Sequence, residues 1–449
     1  MSATAQDHVP HYAADWPPIP KDGLPPGPAW PALVQSLAFM RFRHAFVPWL
    51  HRKYGDVFTI RLIPGGRQIV MFSRPEHIKE IFAGDPEVFY AGKANAILGA
   101  MMGEHSLLLV DSAQHKRARK LLMPAFSPKP LKDYEGLVTE LARAELDTWH
   151  TGTSFRSLER MNALTLEVIM RVVFGVTDEK RAAELRPLLR TVVNVSPAVL
   201  IGISYPWLMR IGMWKTFVTN REALDKVLYA EIADRRRATD LASRTDVLSQ
   251  LLHVGDSEGE EPLNDAELRD QLVTLLLAGH ETTATALAWT LQELGRSPEQ
   301  LARAQRAADE GDDAYLEAVL KESMRLHPVI PMVVRLLMKP ATVGGIEIPA
   351  GASVAPSIIL SHQENFTDAD EFKPTRFLDE KVAPNTWIPF GGGVRRCIGA
   401  GFSLMEGVAV LRELLARYDV QAEGDEVPLV RNITSVPKKG ASIVVRARG

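Results

Sequence analysis

The one cysteine of this 449-residue chain stands in a glycine-rich segment whose composition points to chemistry. Cys397 ends the run FGGGVRRC, which begins at Phe390, and Gly399 follows two residues later. A lone cysteine in an intracellular protein is most often a small buried hydrophobe. Here, however, glycines leave the backbone open around the sulfur. The pattern therefore favours a cysteine that binds another group through its sulfur.

Polar residues interrupt an otherwise apolar helix that periodicity predicts over residues 265–294, with Asn264 and Glu267 spaced as a capping box at its start. The apolar run 272–277 is followed by AGHETT, which places Glu281 and Thr282 where a buried helix is expected to be apolar. Structurally, Thr282 could bond back to the Ala278 carbonyl and Glu281 could pair with a neighbouring helix. Functionally, Gly279 opens a notch, Thr282 holds a small ligand and Glu281 relays protons to it. Both interpretations remain open at this point.

A second charged group lies further along the chain. Glu322 and Arg325 are three residues apart, which puts both on one helix face. Arg376, in KPTRF, offers a second guanidinium that could complete a buried network of one acid and two arginines. ExxR alone is a weak pattern, since most such pairs are solvated. Its position relative to the other motifs is more informative.

The elements that must position these residues are predicted to be mostly helical. From about residue 111 to 308, apolar residues recur every three or four positions. Strands are expected over 57–63 and 68–72 as a hairpin around Pro64, again within 345–354, and as two short strands within 429–445 joined near Pro437. A last helix is expected just after Cys397. The prediction is a mainly α protein with a small β region.

Composition excludes several classes of protein. The chain has 52 Lys and Arg and 55 Asp and Glu, a net charge of -3, so its overall charge does not favour binding to nucleic acid. One cysteine excludes an internal disulfide and a four-cysteine iron-sulfur cluster. No signal peptide and no apolar run long enough to span a membrane is found in the sequence. We expect a single cytoplasmic domain over 1–449, without a transmembrane anchor, in which 1–23 is a polar, flexible segment.

Together these motifs resemble those of the cytochrome P450 family of haem-thiolate monooxygenases, in its soluble bacterial form. AGHETT, ESMR, KPTRF and FGGGVRRCIG occur in family order, and the resemblance covers nearly the whole chain from LPPGP at residue 24. The last motif is highly specific. The resemblance implies an α-rich triangular prism with haem between a long central helix and the cysteine loop.

The resemblance also implies a cofactor and its ligands. Haem b would be bound non-covalently, because no CxxCH occurs. Cys397 would be the axial thiolate, stabilised as an anion by the start of the following helix. Glu322, Arg325 and Arg376 would form a structural triad behind the haem. The residues that would contact the cofactor are His115, Arg119, Arg335 and Arg395 at the propionates, with Phe390, Gly391, Gly399, Ala278 and Gly279 around the ring.

The implied reaction inserts one oxygen atom of O2 into a hydrophobic organic substrate, by hydroxylation or epoxidation. Thr282 and Glu281 would be the acid-alcohol pair that activates oxygen. Electrons would come from a ferredoxin or flavodoxin and an NAD(P)H-dependent reductase, with a monomeric enzyme as acceptor. A basic patch of Lys116, Arg117, Lys120 and Arg396 could attract an acidic donor, although these four could equally be an ordinary solvated face.

The resemblance assigns an apolar substrate pocket to a set of residues suited to a lipid-like, terpenoid or steroid molecule. They are Ile97, Leu98, Met101, Met102, Val199, Ala278, Val333, Val334 and Ser435. Two other functions stay open. One is a haem-thiolate peroxygenase or isomerase that needs no electron donor, and the other is a non-catalytic haem-binding protein.

Overall fold

The protein is built mainly from helices, as the sequence predicts. The computed structural model describes residues 16–20, 22–63, 67–176, 178–193, 210–258, 260–379, 381–431 and 433–448. Its α-helices, numbered in chain order, are α1 (Ala32–Tyr54), α2 (Pro75–Ala83), α3 (Gly99–Met102), α4 (Ser112–Leu122), α5 (Pro128–Leu146), α6 (Ser157–Val172), α7 (Glu179–Val193), α8 (Gly212–Arg237), α9 (Val247–Glu258), α10 (Asp265–Arg296), α11 (Pro298–Glu310), α12 (Asp313–Leu326), α13 (Ile358–Glu364), α14 (Arg376–Asp379) and α15 (Ala400–Arg417).

The strands are short and gather in small sheets. They are β1 (Val57–Leu62), β2 (Arg67–Phe72), β3 (Phe89–Tyr90), β4 (Ser154–Arg156), β5 (Arg335–Leu337), β6 (Ala341–Val343), β7 (Ile346–Ile348), β8 (Ser353–Pro356), β9 (Tyr418–Ala422), β10 (Pro428–Arg431), β11 (Thr434–Pro437) and β12 (Ser442–Ala447). The largest sheet has the order β1-β2-β8-β5-β3, with β2 and β8 parallel and the other neighbours antiparallel. β12 lies between β4 and β9, while β6 with β7 and β10 with β11 form separate pairs.

The predicted hairpin near residue 60 is confirmed, and the predicted turn at Pro64 lies outside the described residues. The prediction of two strands within 429–445 was wrong, because the region forms three. β10 pairs with β11 through Leu429 and Val436, and β12 joins a different sheet. The sequence pattern did not predict the turn near Ile433, where the chain reverses direction between β10 and β11.

Helix α10, hereafter the central helix, runs through the largest hydrophobic core. The predicted capping box is present: the Asn264 side chain accepts from the Glu267 amide at 3.0 Å, and the Glu267 side chain accepts from the Asn264 amide at 2.9 Å. Its 32 residues make it about 48 Å long. It extends two residues beyond the prediction, to Arg296, and Pro298 starts the next helix.

No helix within the described ranges combines the length and the unbroken apolar character that crossing a membrane requires. The central helix is long enough, but it carries charged and amide side chains in its first two turns and Glu281 near its middle. Of these, Arg269, Asp270, Gln271 and Glu281 are buried, so the helix is adapted to a protein interior that supplies hydrogen-bond partners.

Candidate active site

The loop before α15 holds Cys397 in a fixed backbone conformation. The Cys397 amide donates to the Phe390 carbonyl at 2.9 Å, which closes the loop on itself. Gly393 has φ +63°, and a Cβ there would overlap the Phe82 carbonyl. Gly391 also lies in the left-handed region, with φ +65°. The glycines of this motif are therefore required by a tight turn packed against α2.

The Cys397 side chain keeps accessible surface although protein surrounds it closely. These two observations agree if the thiol faces an internal space and not the outer surface. Burial raises the pKa of Cys397, while the Gly399 amide, Arg119 and Arg396 act in the opposite direction. The Gly399 amide, at the start of the following helix, thus acts in the direction that favours a thiolate, while desolvation has the larger effect. A bound cation would supply the missing stabilisation.

The four residues predicted to meet propionates lie close enough to influence one another. Burial and the neighbouring Arg395, Arg119 and Arg335 lower the pKa of His115 to about 3, so its imidazole is neutral. Burial, with Arg395 nearby, lowers the pKa of Arg335 to about 10. Within the described part of the chain, neither Arg119 nor Arg335 forms a salt bridge. The site therefore concentrates positive charge that an anionic group would neutralise.

Asp111 is a functional residue that the sequence did not reveal. Its carboxylate binds Arg395 and accepts hydrogen bonds from the backbone amides of residues 91–93 at 2.8–2.9 Å. Arg395 also donates to the carbonyls of Leu107 and Val110 at 3.2 and 2.7 Å. The cysteine loop is thus tied to the start of α4, which carries His115. Only the position of Asp111 directly before a predicted helix hinted at such a role.

The donor set fits a haem. A single thiol faces an internal space, Arg119 lies within electrostatic range of that thiol, and a group of cations sits around the buried His115. Haem combines an iron that takes one thiolate with two carboxylates that need cations. At Gly399, a Cβ would meet nothing within 4 Å, so the backbone beside the sulfur borders open space.

The predicted charged network is present and completely buried. Glu322 accepts from Arg325 Nε at 2.7 Å and Nη2 at 2.9 Å, from Arg376 Nε at 3.0 Å, and from the Lys373 amide at 2.9 Å. Arg325 donates further to the carbonyls of Ala369 and Glu371 at 2.7 and 3.0 Å. Each charge therefore has several partners, which is the condition for burying charge at tolerable cost.

The middle of the central helix faces both the cysteine region and an internal space. Ala278 is exposed and Thr282 half-buried, although Leu276 and His280 are buried at 0% and 5% exposure. Thr283 Oγ1 lies 3.2 Å from Ser403 Oγ in the first turn of α15, which places the helix beside the start of the cysteine-bearing segment. The structure therefore brings the two sequence motifs together.

The predicted acid-alcohol pair has two different environments. Thr282 Oγ1 donates to the Ala278 carbonyl at 2.6 Å, the bond that the structural interpretation anticipated. Glu281 is buried at 8% exposure, and its Oε1 lies 3.3 Å from Arg431 Nε on β10, not beside another helix. Burial raises the pKa of Glu281, while Arg431 and a hydrogen bond from Thr434 oppose the shift. The acid is thus biased towards its neutral form.

The remaining predicted contacts are distributed more widely. A Cβ on Gly279 would lie 3.1 Å from Ile169 Cδ1, so this glycine permits close packing of α6 on the central helix. Leu98, Met101 and Met102 pack in one buried cluster with Leu109 and Phe217, and Ile97 and Leu277 border it. This cluster adjoins Ala278 along the central helix.

Other pocket residues contact different parts of the molecule. Val333 and Val334 are half-buried beside two further apolar clusters. The Ser435 hydroxyl lies 3.2 Å from Arg43 Nε and 2.9 Å from His44 Nε2, so it is held against α1. Val199 lies outside the described residues.

The segment that carries the apolar cluster is attached to the first turns of the central helix. Asp270 accepts from the His105 amide at 2.9 Å, Gln271 accepts from the Leu107 amide at 3.0 Å, and Arg269 donates to the Met102 carbonyl at 3.2 Å. Sequence reasoning missed these three residues. Three consecutive polar side chains at the start of a buried helix were the available signal.

The predicted basic patch is only partly available to a partner. Arg117 Nη1 lies 2.6 Å from Glu267 Oε1, and Lys120 Nζ lies 3.1 Å from Glu260 Oε1. Lys116 and Arg396 are exposed. Half of the patch is therefore neutralised by acids of the same chain.

Comparisons with known proteins agree with this geometry. The family model described as cytochrome P450 matches residues 24–445. A Mycobacterium tuberculosis protein named cytochrome P450 135A1 is 53% identical over 426 residues, covering 94% of this chain and 95% of that protein. A Mycobacterium bovis protein named cytochrome P450 135B1 is 41% identical over 435 residues, covering 95% and 92%.

Solved structures share the fold. The retinoic acid-bound cyanobacterial CYP120A1 superposes with a TM-score of 0.84 at 24% identity, covering 95% of this chain and 99% of that one. The haem domain of cytochrome P450DA superposes with a TM-score of 0.79 at 24% identity, covering 95% and 98%. The mainly α architecture is thus that of cytochromes P450. The chain belongs to the cytochrome P450 family, and its activity is that of a haem-thiolate monooxygenase.

Proposed function

We propose that this single-domain enzyme inserts one oxygen atom of O2 into a hydrophobic organic substrate, by hydroxylation or epoxidation. The observation that carries the proposal is the meeting of the Cys397 loop with the middle of the central helix, where Thr282 borders an internal space. When bound, haem supplies the iron centre at which O2 is activated. The chain supplies the ligand, the proton donors and the apolar surroundings.

On the cysteine side, the sulfur of Cys397 would hold the iron, and Phe390 would pack beside it. Arg119, Arg335 and Arg395 would neutralise the propionates, and His115 would donate a hydrogen bond as a neutral imidazole. Phe390 is itself held by an edge-to-face contact with Trp387 at 5.9 Å between ring centroids. Gly391 and Gly399 would allow the backbone to approach the ring closely.

On the central helix, Ala278 and Gly279 would contact the haem, and Thr282 would supply a hydroxyl hydrogen-bond donor to the site. That donor becomes available when Thr282 gives up its bond to the Ala278 carbonyl. Glu281 would then deliver a proton through Thr282 or an intervening water. A buried acid with a raised pKa is suited to this role, since it holds a proton at neutral pH more readily than an exposed acid does.

The substrate would lie against the apolar cluster of residues 97–102. This segment is rich in methionine, which adapts to ligand shape, and residues 97–102 carry no charged side chain of their own. A lipid-like, terpenoid or steroid molecule fits that chemistry. Val333 and Val334, at the edges of two other clusters, would line the space further along.

Electrons would reach the site from a separate ferredoxin or flavodoxin that an NAD(P)H-dependent reductase reduces. Lys116 and Arg396, both exposed, would contribute positive charge to the docking surface. Glu322, Arg325 and Arg376 would act as the structural triad that keeps the segment before the cysteine loop in place. We further propose that the enzyme acts as a monomer in the cytoplasm.

The ligand assignment is tested by carbon monoxide binding to the reduced, haem-loaded full chain. Thiolate ligation produces a strongly red-shifted Soret band, whereas Cys397→His is expected to show the band of a histidine-ligated haem. A histidine-type band in the unaltered protein would contradict the assignment. Turnover with ferredoxin, reductase and NAD(P)H is then compared with hydrogen peroxide alone. Oxygenated product from peroxide, with none from the electron-transfer chain, would instead indicate a peroxygenase.

A further inference from the structure

The first turns of α1 present an apolar face to the surroundings. Leu33, Val34, Leu37 and Met40 are 55%, 45%, 60% and 43% exposed. At 3.6 residues per turn, positions 33, 37 and 40 lie above one another and 34 lies beside them. The other side of the helix is buried, as at Phe39 with 7% exposure. The exposed residues thus form one continuous face, not scattered single side chains.

A neighbouring segment enlarges this face. Ile63, directly after β1, is 44% exposed. The Ile63 amide donates to Ser36 Oγ at 2.9 Å, and the Arg61 amide donates to Gln35 Oε1 at 2.9 Å, so β1 ends beside α1. We call the five exposed residues the apolar strip: Leu33, Val34, Leu37, Met40 and Ile63.

The charge around the apolar strip differs from that of the whole chain. Residues 23–73 contain six basic side chains and one carboxylate, a net charge of +5 within a protein of net charge -3. The carboxylate, Asp56, is bound to His51 at 2.9 Å and to Arg74 at 2.5 Å. Arg41 and Arg61, next to the strip, are exposed. Arg43, by contrast, is buried, so the surface cations that adjoin the strip are Arg41 and Arg61.

We propose that the apolar strip and its neighbouring arginines bind an anionic lipid surface. Exposed apolar side chains on one face of α1 before its kink at Phe42, with Arg41 beside them and no acid in Ala32–Tyr54, have the chemistry of an interfacial helix. Anionic lipids attract such a segment before its apolar side chains insert. A second copy of the chain is a poorer partner, because a two-fold contact would bring Arg41 and Arg61 of both copies together. The proposal does not depend on the proposed function.

The test is co-sedimentation of the haem-loaded full chain with vesicles. Vesicles of phosphatidylcholine with phosphatidylglycerol are expected to bind it, those of phosphatidylcholine alone to bind it weakly, and high salt to reduce binding. Leu33→Glu with Leu37→Glu is expected to lower the bound fraction about tenfold, since two inserting side chains are replaced by charges that anionic lipids repel. Arg41→Glu is expected to lower it about threefold.

A matched pair of methionines gives the control. Met40 lies in the strip at 43% exposure, whereas Met123 lies just after α4 at 40% exposure. Met40→Glu is expected to weaken vesicle binding, and Met123→Glu is expected to leave it unchanged. The carbon monoxide spectrum of each variant verifies that it has folded around haem. If the double glutamate variant does not fold, Leu33→Ser with Leu37→Ser replaces it.

Three outcomes would overturn the proposal. The unaltered protein fails to sediment with anionic vesicles, or Met123→Glu weakens binding as much as Met40→Glu does. In the third outcome, analytical ultracentrifugation without lipid shows a dimer that the double variant dissociates, which would assign the strip to a second copy of the chain.

Discussion

Glu322 and Glu281 are both buried carboxylates on helices, but they differ in the number of donors around them. Glu322, with 0% exposure, receives hydrogen bonds from Arg325, Arg376 and the Lys373 amide. Glu281 lies 3.3 Å from one guanidinium nitrogen of Arg431, and its Oε1 accepts no hydrogen bond from the described residues. A carboxylate with many hydrogen-bond donors is held in one position, whereas a buried carboxylate with few donors can gain or lose a proton.

A third buried acid extends the comparison. Glu406 on α15 is 2% exposed, its Oε1 also accepts no hydrogen bond within the described part of the chain, and burial raises its pKa to about 8. It lies nine residues after Cys397. The number of hydrogen-bond donors and cations around the carboxylate therefore falls from Glu322 through Glu281 to Glu406. The buried carboxyl of Glu406 is expected to be neutral at pH 7.

The largest expected effect on stability comes from Glu322, the acid with the most hydrogen-bond donors. Glu322→Gln leaves two buried guanidiniums without a counter-charge, which we expect to destabilise the protein by about 3–5 kcal/mol and to reduce haem retention. Arg143→Ala is the control, because it breaks the exposed Arg143–Glu413 pair at 2.8 Å, a loss that we expect to change stability much less. Chemical denaturation and haem content measure both. Equal losses of stability and haem in the two variants would show that burial of the Glu322 network does not make it more important than a surface ion pair.

Glu406 is expected to make stability depend on pH. Its pKa is raised from an ordinary value of 4.5 to about 8 in the folded protein, so the unfolded chain ionises first. The contribution of Glu406 to the free energy of unfolding is therefore greatest below pH 4.5. It falls by about 1.4 kcal/mol per pH unit until the pKa of the folded state is passed. Glu406→Gln should flatten the curve of unfolding free energy against pH between those values. Parallel curves for the variant and the unaltered protein would mean that the pKa of Glu406 is not raised in the folded protein.

Thr282→Ala should retain haem but direct electrons into peroxide instead of product. We expect the product formed per NAD(P)H to fall about tenfold, because the hydroxyl that guides protons is lost. Thr290→Ala is the matched control: Thr290 Oγ1 also donates to a carbonyl four residues earlier, at 2.8 Å, but is fully buried. Peroxide and product are measured together. Unchanged coupling in Thr282→Ala would contradict the proton-delivery role.

The smallest expected effect is a shift in a pH profile. Arg431 lowers the pKa of Glu281 through its charge, so Arg431→Gln should raise that pKa further. If protonated Glu281 delivers the proton, the alkaline limb of the kcat profile should move to higher pH, and Arg431→Lys should largely restore its position. An alkaline limb that stays in place in Arg431→Gln would indicate that another group delivers the proton.

The motifs that predicted the site are those whose chemistry is local. The Cys397 loop closes through its own amide, and Glu322 and Arg325 meet because they are three residues apart on one helix. The start of the central helix was predicted for the same reason, since a capping box joins residues three apart. Such interactions depend on spacing along the chain, which a sequence displays directly.

The partners that arrive from distant segments were not predicted. Arg431 reaches Glu281 across 150 positions, and Asp111 reaches Arg395 across 284. The number of strands at the carboxyl end was also missed, because a strand is defined by its neighbours in a sheet. Nor did composition reveal the apolar strip: its residues are ordinary hydrophobes whose exposure depends on which side of α1 the core covers.

By itself, the sequence determined the family, the mainly helical fold, the expected iron ligand and the spacing of the buried triad. These properties follow from the spacing of residues close together in the chain and from the order in which the motifs occur. The tertiary structure alone decided that Glu281 meets Arg431, that desolvation raises the pKa of Cys397, and that one face of α1 stays exposed. The physical reason is that burial and long-range charge depend on distances in space, which chain spacing does not specify.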